Sequence, residues 1–157
     1  MNAKISRREA LAGGAAACAS GAVTLRSAEA ADPMAARMAA AQAAIKKFTG
    51  GKATTKGALK LTLPQIAENG NTVPMGVSVD SPMTAASYVK EVRVFVPKNP
   101  LPVAVSFLFT PESGKAAAST HIRLAGTQDV QAIALMSDGT FLIDTRNCKV
   151  TIGGCGG

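Results

Sequence analysis

After Gly57 the hydrophobic residues of the chain recur at every second position, in short runs that continue almost to the last residue. The clearest runs lie at 59–63, 73–79, 91–96 and 103–109, and shorter ones lie at 119–124, 130–136, 141–144 and 149–152. A period of two places the hydrophobic side chains on one face of a β-strand. Turns rich in Gly, Pro, Asn and Asp separate the runs. Seven or eight short strands with no helix between them predict an all-β fold, an immunoglobulin-like antiparallel β-sandwich.

One helix is predicted before the strands. Asp32 is a good N-cap, Pro33 suits the first helical position, and the Ala-rich stretch from Met34 to Phe48 carries its larger hydrophobic residues at helical spacing. Two glycines at 50–51 end this stretch. The pattern predicts an N-terminal α-helix whose Met and Phe side chains are packing residues and not part of a cofactor site.

Residues 1–30 have the order of segments found in a cleaved export signal. Arg7 and Arg8 precede a mildly apolar, Ala- and Gly-rich stretch at 11–25, and small residues surround Glu29 at the expected cleavage site. Paired arginines favour the twin-arginine pathway, in which they serve for signal recognition. The apolar stretch is too short and too rich in glycine for a transmembrane helix. We therefore expect a periplasmic protein with no stable membrane insertion.

The sequence divides into three parts on this interpretation: a twin-arginine signal peptide at 1–30, an N-terminal helix plus β-sandwich domain at 31–152, and a short C-terminal segment at 153–157. Cys18 offers an alternative, lipid attachment within the signal segment. The residues before Cys18 lack the leucine usual in lipoprotein signals, so the cleavage site near Glu29 is the better interpretation.

The charge and the residue types exclude several functions. The chain has 157 residues, 17 basic and 10 acidic, and loss of the signal would leave 13 basic and 8 acidic residues, a net charge of +5. These charges are scattered and do not alternate with aromatic residues, so nucleic acid is not an expected partner. One His, three Cys and no Cys-x-x-Cys pair indicate neither a metal site nor an attached haem, and no cofactor is predicted.

The C-terminal segment carries the candidate chemistry. It consists of a single thiol and four glycines: Gly153, Gly154, Cys155, Gly156 and Gly157. Glycine gives the backbone freedom and offers no side chain to pack, so we expect a flexible arm that carries the Cys155 thiol into the cleft of another protein. His121, in a predicted strand, is the only histidine that could act as a base, and nothing resembles a catalytic triad. The pattern favours a covalent substrate carrier with attachment at Cys155, not an enzyme.

Cys148 has two interpretations. It shares strand parity with Val150 and Ile152, so a regular strand would turn all three toward one apolar face and bury Cys148 as a small hydrophobic residue. The alternative is a resolving thiol that forms a disulfide with Cys155. Asn147 beside it suggests an irregularity in the strand, which keeps this alternative open.

The sequence from Val150 to Gly157, Val-Thr-Ile-Gly-Gly-Cys-Gly-Gly, resembles the end of the SoxY family when it follows a twin-arginine signal, a helix and a sandwich. SoxY proteins are the sulfur-carrier subunits of the bacterial thiosulfate-oxidising Sox complex. The resemblance implies that Cys155 holds thiosulfate-derived sulfur species. It also implies a heterodimer with a SoxZ-like subunit. Further implied partners are a c-type cytochrome, a hydrolase that releases sulfate, and a sulfur dehydrogenase.

Two other functions stay open from the sequence. An exported non-enzymatic β-sandwich, such as a binding or chaperone module, would have the same architecture with an incidental tail cysteine. Small sulfur carriers of the ubiquitin-like class also end in two glycines and form a thiocarboxylate on the last one, here Gly157. The predicted export signal argues against that chemistry, because it requires cytosolic adenylation.

Overall fold

The computed structural model describes residues 32–152, so the predicted signal peptide and the predicted arm lie outside the described residues. The helix α1 (Pro33–Thr49) comes first, as the sequence predicts. The Asp32 carboxylate accepts a hydrogen bond from the Met34 amide at 2.9 Å, and Gly50 ends the helix with a left-handed φ of 63°. Among the described residues, no helix is both long and apolar enough to cross a membrane.

Strands make up most of the remaining described chain. They are β1 (Thr54–Thr55), β2 (Leu59–Thr62), β3 (Ile66–Asn69), β4 (Val73–Val79), β5 (Val89–Phe95), β6 (Val103–Leu108), β7 (Ala116–Ile122), β8 (Gln128–Met136) and β9 (Phe141–Ile152). A short 3-10 helix (Pro111–Ser113) lies between β6 and β7. Each alternating run of the sequence therefore falls in a strand. The pattern did not predict β1 or β3, and it divided the 12-residue strand β9 into two.

The strands form two sheets. The larger has the order β1, β9, β8, β5, β6, with β3 also paired to β9, and the smaller has the order β2, β4, β7. The ladders are antiparallel, as predicted, except that β1 and β3 each pair with β9 in parallel. Neither short strand is joined to β9 by a hairpin, so no tight connection imposes the antiparallel direction on these pairs.

The main hydrophobic core contains side chains from both sheets. Val73 and Val77 of β4, Val92 of β5, Val130 of β8 and Cys148 of β9 are all buried in it. The mostly β fold with one N-terminal helix is thus confirmed, whereas the immunoglobulin-like classification stays a prediction.

A second, smaller core lies where α1 packs against the larger sheet. Phe95, Ile133 and Phe141 are buried there against the helix residue Phe48, whose ring lies 6.1 Å from that of Phe95 and 5.6 Å from that of Phe141. The Arg93 guanidinium lies 4.4 Å from the centre of the Phe48 ring, in cation–π contact. The helix therefore covers a face of the sheet that would otherwise expose aromatic residues to water.

Candidate functional site

The sequence places the candidate chemistry in the segment that follows β9. The predicted attachment residue Cys155 and the glycines of the arm lie outside the described residues, as do the signal residues Arg7 and Arg8. The structure does describe residues 149–152, the last four residues of β9, which we call the arm root. The arm root fixes where any segment after Ile152 leaves the domain.

Strand β3 holds one side of the arm root. The Lys149 amide donates to the Gln65 carbonyl at 2.9 Å, just before β3 begins. The Thr151 hydroxyl donates to the Glu68 carbonyl at 2.8 Å. At the far end, the Gly70 amide donates to the Ile152 carbonyl at 2.7 Å. Hydrogen bonds to β3 and its flanking residues thus run along the arm root up to its last residue.

The other side of the arm root is held by a side chain. The ladder between β8 and β9 extends to the pair Gln128 and Cys148, at the start of β8. Beyond this pair, the Thr127 hydroxyl accepts a hydrogen bond from the Val150 amide at 3.0 Å and lies 3.4 Å from the Val150 carbonyl, to which it donates. One hydroxyl thereby engages both backbone polar groups of Val150.

A buried pair of amide side chains lies behind Thr127. The Gln128 side chain accepts from the Lys98 amide at 2.9 Å and donates to the Asn99 side-chain oxygen at 3.0 Å. Asn99 in turn donates to the Arg123 carbonyl at 2.7 Å and accepts from the Ala125 amide at 2.9 Å. Both amides are almost fully buried, and these bonds fix the loop that leads into β8.

Cys148 is fully buried in the main core, as its strand parity predicts. Burial raises the pKa of the Cys148 thiol, and a hydrogen bond with the backbone of Ala67 opposes the shift only in part. A buried, protonated thiol is a poor nucleophile, so the described conformation does not favour a resolving role for Cys148. Such a role would require the arm root to open.

The predicted apolar face of β9 does not continue past Val150. Val150 is half-buried, but Ile152 is 67% exposed, so the prediction of one common buried face is wrong for Ile152. The reason is that β8 begins at Gln128, opposite Cys148, and the arm root extends beyond it. The end of β9 is therefore an exposed projection held mainly by hydrogen bonds.

The remaining sequence-predicted group, His121, is exposed on β7, where its register partner is Pro74. Within residues 32–152, no three His, Cys, Asp or Glu side chains form a group that could hold a metal ion. The sequence did not predict roles for Thr127, Asn99 or Gln128. Polar residues in turn regions carry no periodic signal, and their bonds join parts of the chain up to 30 residues apart.

Comparison with known proteins gives one family. A model of the family described as sulfur oxidation protein SoxY matches residues 45–155 of the chain. The matched region runs from within α1 through all nine described strands and includes Cys155. No curated protein matches the sequence.

Solved structures with similar folds include a member of the same family. The sulfur carrier protein SoxY from Chlorobium limicola f. thiosulfatophilum is 28% identical, with a TM-score of 0.60 over 73% of this chain and 98% of that one. A superoxide reductase (neelaredoxin) from Ignicoccus hospitalis is 16% identical, with a TM-score of 0.53 over 60% of this chain and 80% of that one. At that identity the second similarity shows a shared fold alone.

Proposed function

The chain belongs to the SoxY family of sulfur oxidation proteins, and on this basis we propose that it carries sulfur covalently on Cys155 and presents it to partner enzymes. The family match through Cys155 carries the proposal. Two features support it: the arm root is hydrogen-bonded up to Ile152 on the β3 side and at Val150 on the other side, and two glycines then separate it from Cys155. The protein acts as a carrier and its partners supply the catalysis.

The proposed chemistry requires a thiol and external oxidants. Coupling of thiosulfate dianion to the Cys155 thiol forms a new S–S bond in Cys–S–S–SO₃⁻, and releases one proton and two electrons to the c-type cytochrome partner. Attack of water on the sulfonate sulfur then breaks the adjacent S–S bond and yields sulfate, a cysteine persulfide anion and two protons. The persulfide sulfur is the group left for the sulfur dehydrogenase.

Intact-mass analysis of the purified protein tests this function. After incubation with thiosulfate and the oxidising partner, we expect a mass increase that peptide mapping assigns to Cys155. Modification of the Gly157 carboxylate would indicate a thiocarboxylate carrier instead. A chain that stays unmodified would favour a binding module with an incidental cysteine.

Periplasmic location by the twin-arginine pathway is part of the proposal. Changing both Arg7 and Arg8 to Lys is expected to trap almost all of the precursor in the cytoplasm, because the pathway recognises the arginine pair. Cell fractionation with immunoblotting measures the distribution. Arg26→Lys, a change of the same kind in the same segment but outside the pair, is the control and should leave export normal. Normal export of the double variant would contradict the twin-arginine assignment.

The proposal also includes assembly with a SoxZ-like subunit, and strand β6 offers a surface for that partner. In the larger sheet, β6 is the edge strand at the end opposite β1 and β3, and Leu108 at its end is 78% exposed. Leu101, just before β6, is 76% exposed. An open strand edge next to exposed leucines is a typical pairing site for another chain.

Leu108→Glu is therefore expected to weaken the heterodimer by tenfold to about a hundredfold, the range for loss of an interface anchor. Analytical ultracentrifugation or titration calorimetry with the partner subunit gives the affinity. Ile66→Glu is the control, because it places the same charge at an exposed aliphatic residue on β3, at the opposite end of the larger sheet. This variant should bind the partner subunit with wild-type affinity. Equal affinities for the two variants would show that β6 is not the interface.

A further inference from the structure

We propose that Thr127 is a positioning residue that fixes the arm root and so sets the point and direction from which the Cys155 segment departs. This inference rests on the proposed carrier function. It concerns a residue outside the C-terminal motif, in the loop before β8.

The position of Thr127 at the end of the ladder gives it this role. Antiparallel pairing of β9 with β8 stops at Cys148, yet the Thr127 hydroxyl continues the pairing by two residues through its bonds to the amide and carbonyl of Val150. An exposed strand end with hydrogen bonds on one side only would fray. The hydroxyl supplies the second side.

Hydrogen bonds of Lys98 and Gln128 hold the loop that contains Thr127. The Lys98 ammonium donates to the Thr127 carbonyl at 2.7 Å, and the Lys98 amide donates to the Gln128 side chain. Gln128 also donates to the Gly126 carbonyl at 3.3 Å. The loop is thus anchored on both sides of Thr127 to buried amides, so the hydroxyl has a fixed position when β9 reaches it.

The expected consequence of losing the hydroxyl is a longer, less directed tether. Residues 149–152 would then be held by β3 alone, and fraying would lengthen the free segment up to and including Cys155 from three residues to as many as seven. An extended chain spans about 3.4 Å per residue, so the reach to Cys155 rises from about 10 Å to about 24 Å. A thiol on a longer flexible tether has a lower effective concentration in a partner's cleft.

The experiment compares Thr127→Val with Thr127→Ser in the full-length protein. Valine keeps the shape of threonine and removes the hydroxyl, whereas serine keeps the hydroxyl. Thr145→Val is the matched control, because the Thr145 side chain is exposed on β9, the strand that carries the arm root, and its hydroxyl makes no hydrogen bond with the described residues. Thermal denaturation should show all three variants folded, since Thr127 is also exposed.

Hydrogen exchange and loading kinetics test the role of the hydroxyl, and alkylation of Cys155 is a control measurement. Hydrogen exchange of the Val150 amide should accelerate about two- to tenfold in Thr127→Val, the effect of one lost hydrogen bond. The KM of the cytochrome partner for the carrier in thiosulfate loading should rise severalfold. Alkylation of Cys155 by iodoacetamide should stay unchanged, because a small reagent does not depend on the tether. Thr127→Ser and Thr145→Val should behave as the wild type in all three.

Each other outcome has a definite meaning. Wild-type exchange at Val150 in Thr127→Val would overturn the inference, because the hydroxyl would not hold the arm root. Faster exchange with an unchanged KM would overturn it as well, because the arm root would not control presentation. Absence of thiosulfate loading in the wild type would instead overturn the proposed function, and the inference with it.

Discussion

Replacing Cys155 with serine is expected to abolish sulfur loading completely. The serine hydroxyl has nearly the size and polarity of the thiol, but it stays protonated at neutral pH and cannot form the S–S bond that thiosulfate coupling requires. Folding should not change, because the substitution is nearly isosteric and leaves every residue of the two described cores unaltered. The expected result is loss of all thiosulfate-dependent turnover with an unchanged thermal midpoint.

Reconstitution with the partner enzymes, followed by intact-mass analysis of the carrier, measures this. Cys148→Ala is the matched control. It removes a thiol that is fully buried, so loading at Cys155 should persist, with only a modest loss of stability. Turnover that survives Cys155→Ser would show that the carrier mechanism is wrong, and Cys148 would become the thiol to test.

The alternating pattern predicted the strands that form the main core. It succeeded for β4, where Val73, Met75, Val77 and Val79 are all buried and face one core. It failed for β1, which has two residues and cannot show a period of two. It also divided β9, because positions 145–147 are all exposed and polar although the backbone stays paired with β8. Backbone pairing does not require alternating side chains where neither face is covered.

The candidate site was predictable only where local pattern determines it. Strand parity correctly placed Cys148 in the core. Parity could not show that β8 begins opposite Cys148, so that Ile152 projects into solvent. The hydrogen bonds between the Thr127 hydroxyl and the Val150 backbone were not predicted, for a similar reason. A side chain bonded to the backbone of a residue 23 positions away leaves no local trace in the sequence.

The face of β5 under α1 shows a different limit of the pattern. Alternation along β5 places Val92 and Val94 in the core and puts Phe95 on the opposite, outward side with Arg93. Phe95 is nevertheless fully buried, because the helix covers that side of the sheet. The outward face of β5 carries Glu91 and Arg93 as well as Phe95, so the sequence of the strand alone does not reveal that a helix covers this face.

Phe95→Ala is accordingly expected to cost about 3–5 kcal/mol of the free energy of unfolding, the range for removing a fully buried aromatic ring. A domain of this size has about 5–15 kcal/mol in total, so the variant should lose a large fraction of its stability. The loss arises from the cavity left between the sheet and α1 and from the broken contact with the Phe48 ring. Urea denaturation followed by circular dichroism gives the value.

Leu108→Ala is the control for this measurement. It also removes a large hydrophobic side chain from a strand of the same sheet, but one that is 78% exposed, so its effect should stay within about 0.5 kcal/mol. If Phe95→Ala cost no more than Leu108→Ala, the outer face of β5 would be open to water in solution. The helix would then not be packed on the sheet, and the second core would not contribute to stability.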